Sequence, residues 1–183
     1  MNAYVLVGGR SSRMGLSKAT LFLERIVSAA EPVFDAEPVF DAVLAVQRPG
    51  RAATSIPTIF EEDHEGAGPV FGVVEALRHA HGKCFVLAVD YPLITTEVLR
   101  YLRDREGVPE WDGLPQPLCA VWPVEALPRL QSRIAEGRYD LRGAIDQEMI
   151  AEAELRAKFG SEVLMNVNTP EEWERGQRFL ASR

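Results

Sequence analysis

Lysine is scarce in this chain: three residues, Lys18, Lys83 and Lys158, stand against seventeen arginines in 183 positions. Cysteine and histidine are nearly as rare, and each shortage excludes something. Cys84 and Cys119 lie far apart, each inside an apolar run, so two buried reduced thiols are expected in place of a disulfide framework or a cysteine metal pair. His64, His79 and His81 have no metal-ligand spacing; 79 and 81 sit two apart near a helix end and face different ways. No apolar run approaches the roughly 20 residues needed to span a bilayer. Nor does a basic segment precede the short apolar run after Met1, so a cytoplasmic protein without membrane contacts is expected. The net charge of −7 excludes a broad cationic face for nucleic acid, and any phosphate must be met by a local pocket.

What remains is 46% hydrophobic and 26% charged, enough for one domain over residues 1–183 with a packed core. Strand-like runs fall at 3–7, 42–46, 57–60, 84–89, 118–122 and 163–167. They alternate with helical patterns at 69–79, 95–105, 124–135 and 170–181. In the first helix Val70, Val73, Val74 and Leu77 mark one face; the last is opened by Thr169 with Glu172 three residues on, a capping box. Alternating strand and helix predicts a Rossmann-like three-layer α/β fold with a mostly parallel sheet. A tandem repeat, Glu-Pro-Val-Phe-Asp-Ala at 31–36 and again at 37–42, is too short for a solenoid and reads as a local duplication.

Residues 6–18, Leu-Val-Gly-Gly-Arg-Ser-Ser-Arg-Met-Gly-Leu-Ser-Lys, follow the first strand and read as a loop that wraps a triphosphate. Gly8, Gly9 and Gly15 let backbone N–H groups approach phosphate oxygens, while Arg10, Arg13 and Lys18 supply charge. The spacing matches neither the P-loop nor the usual dinucleotide fingerprint. Asp90 ends a buried strand at the side of the sheet where ligands gather, and a hard oxygen donor there suits Mg²⁺; the alternative is a cap on the turn before Pro92. Asp63, in the acidic segment 61–63, is a base or ribose contact or a solvated carboxylate. Asn166 and Asn168 would share one face of a strand, with an N-cap role for Asn168 equally open.

Five motifs in order carry a resemblance along nearly the whole chain: the loop 6–15 with Lys18; Gly68-Pro69-Val70-Phe71-Gly72; Asp90-Tyr91-Pro92-Leu93; 116–121, Gln-Pro-Leu-Cys-Ala-Val; and 166–171, Asn-Val-Asn-Thr-Pro-Glu. Together they resemble the molybdenum cofactor guanylyltransferases, α/β nucleotidyltransferases that transfer GMP from GTP to molybdopterin with release of pyrophosphate. The resemblance implies that Leu6, Gly8 and Gly9 line the nucleotide and that Arg13 and Lys18 hold its phosphates and act in catalysis, while Arg10 is expected at the nucleotide from its charge in the loop alone. It places Asp63 and Asp90 at guanosine and Mg²⁺, and Asn166 and Asn168 on the molybdopterin side. It also implies transient contacts with other proteins of cofactor biosynthesis or molybdoenzyme maturation. The chain departs from the family at Ser17, where Asp is usual, and at Gln47-Arg48, where an asparagine helps read guanine. CTP as donor, and a nucleotide-binding protein without activity, stay open as alternatives.

Overall fold

A computed structural model describes residues 1–8, 18–31, 37–62, 64, 66 and 68–181, with only the backbone described for 18–21. In chain order the elements are β1 (Ala3–Leu6), α1 (Lys18–Ala30), β2 (Val43–Gln47), β3 (Thr58–Phe60), α2 (Val70–Ala80), β4 (Cys84–Ala88) and α3 (Thr96–Arg105). There follow β5 (Val108–Trp111), β6 (Leu114–Pro115), β7 (Cys119–Trp122), α4 (Ala126–Ala135), a 3₁₀ turn (Arg142–Ala144), β8 (Met149–Ile150), α5 (Glu152–Phe159) and α6 (Pro170–Ala181). The main sheet has the order β3-β2-β1-β4-β7, parallel except for β7. A small sheet, β6-β5-β8, stands apart from it.

Strand periodicity sorts the core into two layers, because successive side chains point to opposite faces. Ala3, Val5, Phe85 and Leu87 pack with α1, α3 and α5, whereas Tyr4, Leu6, Cys84 and Val86 pack with α2 and α4. The central strands β1 and β4 are covered on both faces, which is why they read as continuous apolar runs. Cys84 and Cys119 are buried, reduced and on opposite faces of the sheet, as expected.

Helix boundaries follow local chemistry. The Thr169 hydroxyl accepts from the Glu172 N–H at 3.2 Å, and the Glu172 carboxylate accepts from the Thr169 N–H at 3.0 Å, completing the capping box. Thr95 caps α3 by accepting from the Val98 N–H. The second copy of the six-residue repeat is structural: Val39 and Phe40 are buried, and the Phe40 ring lies 5.1 Å from Phe85. Residues 32–36 of the first copy lie outside the described residues.

One expected strand is absent. Residues 163–167 form the end of a turn and an irregular segment outside both sheets. Val163, Leu164, Met165 and Val167 are apolar because they plug the core beside α1 and α5, and the Val167 N–H donates to the Asp90 carbonyl at 2.9 Å. Among the described residues no helix is long and apolar enough to cross a membrane.

Candidate active site

The chain winds outward from β1 through β2 to β3, then returns to place β4 on the other side of β1, so the sheet reverses direction between these two neighbours. Loops leaving adjacent strands on opposite sides open a crevice at such a reversal. Leu6 pairs in register with Ala88, and two residues further on β4 delivers Asp90 to the crevice. Here lies a cavity of about 600 Å³, lined among others by Leu6, Gly8, Val46, Arg48, Arg51, Glu61 and Asp90. A second cavity of about 390 Å³ shares the wall formed by Pro69, Ala88, Asp90 and Leu118. It adds Tyr91, Gln116, Tyr139, Arg142, Asn166 and Asn168. The cleft thus has two lobes, and Asp90 stands at their junction.

In the first lobe Glu61 is buried, and its Oε1 lies 3.5 Å from Arg48 Nε. The guanidinium also donates to the His64 carbonyl at 3.1 Å. The His64 ring stacks on Phe71, centroids 3.9 Å apart, while its Nε2 meets Glu62. Hydrogen bonds from His64 and then Arg78 hold the exposed Glu62 carboxyl below the usual carboxylate range. Gly72, on the first turn of α2, explains the glycine of its motif: a Cβ there would overlap Leu6 Cδ2 and lie 2.9 Å from Glu61 Oε2. The glycine lets the helix approach both cavity-lining side chains.

In the second lobe the Tyr91 hydroxyl donates to Gln116 Oε1 at 2.8 Å, and the Gln116 amide donates to the Trp111 and Leu114 carbonyls. Burial chiefly, and then Cys119, raises the Tyr91 phenol well above its ordinary value, so it is a neutral donor. Its hydroxyl also interacts with Asn166. The lobe is therefore lined by amides and tyrosines, with Tyr91 and Gln116 fixed in place by their mutual bond.

Of the residues singled out from sequence, Leu6, Gly8 and Asp90 line the first lobe, and Asp90, Asn166 and Asn168 the second. Gly9, Arg10, Arg13 and Asp63 lie outside the described residues, and Lys18 is the first residue of α1. Asn166 and Asn168 share the lobe without sharing a strand. At the family departure Gln47-Arg48, strand alternation sends Val46 and Arg48 to the cavity, while Gln47 is buried on the other face and its amide donates to the Ala52 carbonyl at 3.4 Å. The Leu6 carbonyl accepts from the Val89 N–H at 3.1 Å, which ties the end of β1 to the turn that carries Asp90. Arg51, Tyr139 and Arg142 carry no signal in the sequence, and Glu61, Arg48 and Tyr91 stand there only as members of the acidic segment 61–63, the departure Gln47-Arg48 and the motif 90–93.

Among the described residues no three histidine, cysteine or acidic side chains converge as a metal cage. A single Asp90 carboxylate beside a nucleotide-sized cavity still fits Mg²⁺, which takes one or two carboxylates and completes its shell with phosphate oxygens and water.

A family model described as the MobA-like NTP transferase domain matches residues 3–154. A probable molybdenum cofactor guanylyltransferase from Carboxydothermus hydrogenoformans is 27% identical over 93% of this chain and 92% of its own length. One from Clostridium perfringens is 33% identical over 66% of this chain; the match spans only 65% of that relative's length. The crystal structure of molybdopterin-guanine dinucleotide biosynthesis protein A from Archaeoglobus fulgidus superposes with a TM-score of 0.75 at 25% identity, covering 100% of both chains. The strand order, the motif-bearing loops around the cleft and these matches have one explanation: the chain belongs to the MobA-like NTP transferase family of nucleotidyltransferases.

Proposed function

We propose that this protein transfers GMP from GTP to molybdopterin. The observation that carries the reading is the two-lobed cleft: a nucleotide-sized cavity at the ends of β1, β2 and β3 meets an amide-lined cavity across one carboxylate, Asp90. In this reading GTP occupies the first lobe with its phosphates along the loop from Gly8 to Lys18. The two oxygens of Glu61 accept from the guanine N1–H and N2–H₂ edge, with Arg48 beside that carboxylate at 3.5 Å. Molybdopterin occupies the second lobe against Gln116, Asn166 and Asn168.

Asp90 would hold Mg²⁺, which when bound supplies charge neutralisation and a fixed triphosphate geometry. An oxygen of the acceptor phosphate forms a bond to the α-phosphorus as the bridge to the β-phosphate breaks. The electron pair leaves with pyrophosphate. No proton must move, because the acceptor phosphate is already ionised, so catalysis is positioning and charge compensation by Arg13, Lys18 and Asp90.

The test is pyrophosphate release from GTP, CTP and ATP, each with and without molybdopterin. The reading expects release that requires GTP, molybdopterin and Mg²⁺ together. Release from CTP in preference to GTP moves the donor assignment to cytidine, and binding of all three without release removes the enzymatic reading.

A further inference from the structure

The acceptor must carry an anionic phosphate toward a triphosphate and past Asp90, against the repulsion of like charges. We infer that Arg142 is the residue that overcomes this, gripping the acceptor phosphate and making the second lobe selective for phosphorylated acceptors. The inference rests on the reading above and adds to it the group that recognises the attacking substrate.

The charge balance of the lobe supports it. Of its lining residues Asp90 and Asp140 are acidic and Arg142 is basic. Asp140 is already neutralised: its carboxylate accepts from the Gly143 N–H at 2.8 Å and pairs with Arg133, and these contacts, the Gly143 N–H first, hold its carboxyl below the ordinary range. Asp90 stands at the junction of the lobes, where in this reading it would hold Mg²⁺. Arg142 makes no ion pair among the described residues; its Nε makes one long bond, 3.4 Å, to the Pro115 carbonyl. Its neighbours in this part of the fold differ, since Arg129 pairs with Asp146, Arg133 with Asp140 and Arg138 with Glu136. An exposed guanidinium left without a carboxylate, on the wall of a cavity, has its bidentate fork available for phosphate.

The fold also fixes where that fork stands. Arg133 and Arg129, one turn apart on α4, clamp the segment that bears Arg142, with Arg129 donating to the Ala144 carbonyl at 2.9 Å. Gly143 permits the clamp, because a Cβ there would lie 2.8 Å from Arg133 Cζ. Leu141 and Ala144 are buried in the core layer of α2 and α4, so the segment is anchored on both sides of Arg142.

Arg142 is exposed, and Arg142→Gln and Arg142→Lys should both fold with unchanged melting temperature. At saturating GTP and Mg²⁺, rates of pyrophosphate release are measured against molybdopterin, then with inorganic phosphate as competitor. Arg142→Gln is expected to raise the KM for molybdopterin at least about tenfold and to weaken phosphate competition similarly, with the Kd for GTP unchanged. Arg142→Lys should recover part of the loss, because charge returns without the fork. An unchanged KM and unchanged phosphate competition overturn the inference while leaving the transferase reading intact. A wild-type protein that transfers nothing to molybdopterin overturns both.

Discussion

The carboxylate of Glu61 and the guanidinium of Arg48 stand 3.5 Å apart in the first lobe, on the ends of adjacent parallel strands. The Glu61 side chain is only 8% exposed, so its charge is held in a partly dry site by that partner. A carboxylate in such a place is costly unless it is paired, and its oxygens discriminate strongly between bases that donate and bases that do not. Glu61→Gln replaces one acceptor by a donor. It should weaken GTP binding by about tenfold or more and narrow the preference over ATP and CTP, with about 2 kcal/mol at most lost in urea unfolding. Competition of the three nucleotides in one titration checks this; retained selectivity removes Glu61 from base recognition.

Gly72→Ala sets helix propensity against packing. Alanine favours a helix over glycine by about 1 kcal/mol, while overpacking a core position costs about 1–3 kcal/mol. The new methyl meets the ends of two side chains, Leu6 and Glu61, and because both line the cavity, making room for it disturbs the cavity wall. Stability should therefore change little while GTP affinity falls. Isothermal titration beside a melting curve separates the two; a loss of stability with intact affinity reverses the argument.

Much of this was legible in the sequence, and the gaps have physical reasons. Strands β1 and β4 are buried on both faces and announce themselves as apolar runs, and Gly8 and Asp90 mark their ends. Strands β6 and β8 have two residues each, too few for any period. Helix α5 buries only Leu155 and Phe159, so it has no wider apolar face to detect. Residues 163–167 have strand composition because a core plug and a buried strand need the same side chains. Three consecutive acids at 61–63 could not be told apart without the strand register that turns Glu61 inward. Arg142 reaches the cleft through a clamp by Arg129 and Arg133, which no local pattern records.

Asp90→Asn keeps the shape of the side chain and removes its charge. If Asp90 binds Mg²⁺, the variant should lose at least about a hundredfold in turnover at ordinary Mg²⁺ concentration, as expected for losing one preorganised electrostatic contact. Part of that loss should return as Mg²⁺ is raised. A rate whose Mg²⁺ dependence matches the wild type eliminates this ligand.

Lys18→Ala tests the phosphate loop. Lysine is rare in the chain, and this one opens α1, where the positive end of the helix dipole already favours anions. Removing it should lower turnover by about two to three orders of magnitude with little change in melting temperature. An undiminished rate in a folded variant defeats the phosphate role.

Alkaline stability follows from the buried thiols. Burial pushes Cys84 from its ordinary 9.0 up to about 12 and raises Cys119 further, so the folded chain keeps both protonated where the unfolded chain ionises them. A raised thiol therefore contributes its full stability below pH 9 and loses it as pH rises toward 12. Each such group steepens the decline by up to about 1.4 kcal/mol per pH unit. Buried Tyr4 and Tyr91, also raised chiefly by desolvation, push the same way. Urea midpoints at pH 8, 9 and 10 should fall progressively above 9, and Cys84→Ala, though less stable throughout, should fall less steeply. An aromatic disulfide reagent at pH 8 should label neither thiol until urea unfolds the chain. Rapid labelling of the native protein, or a midpoint unchanged from pH 8 to 10, would show that these strands open far more readily than their packing predicts.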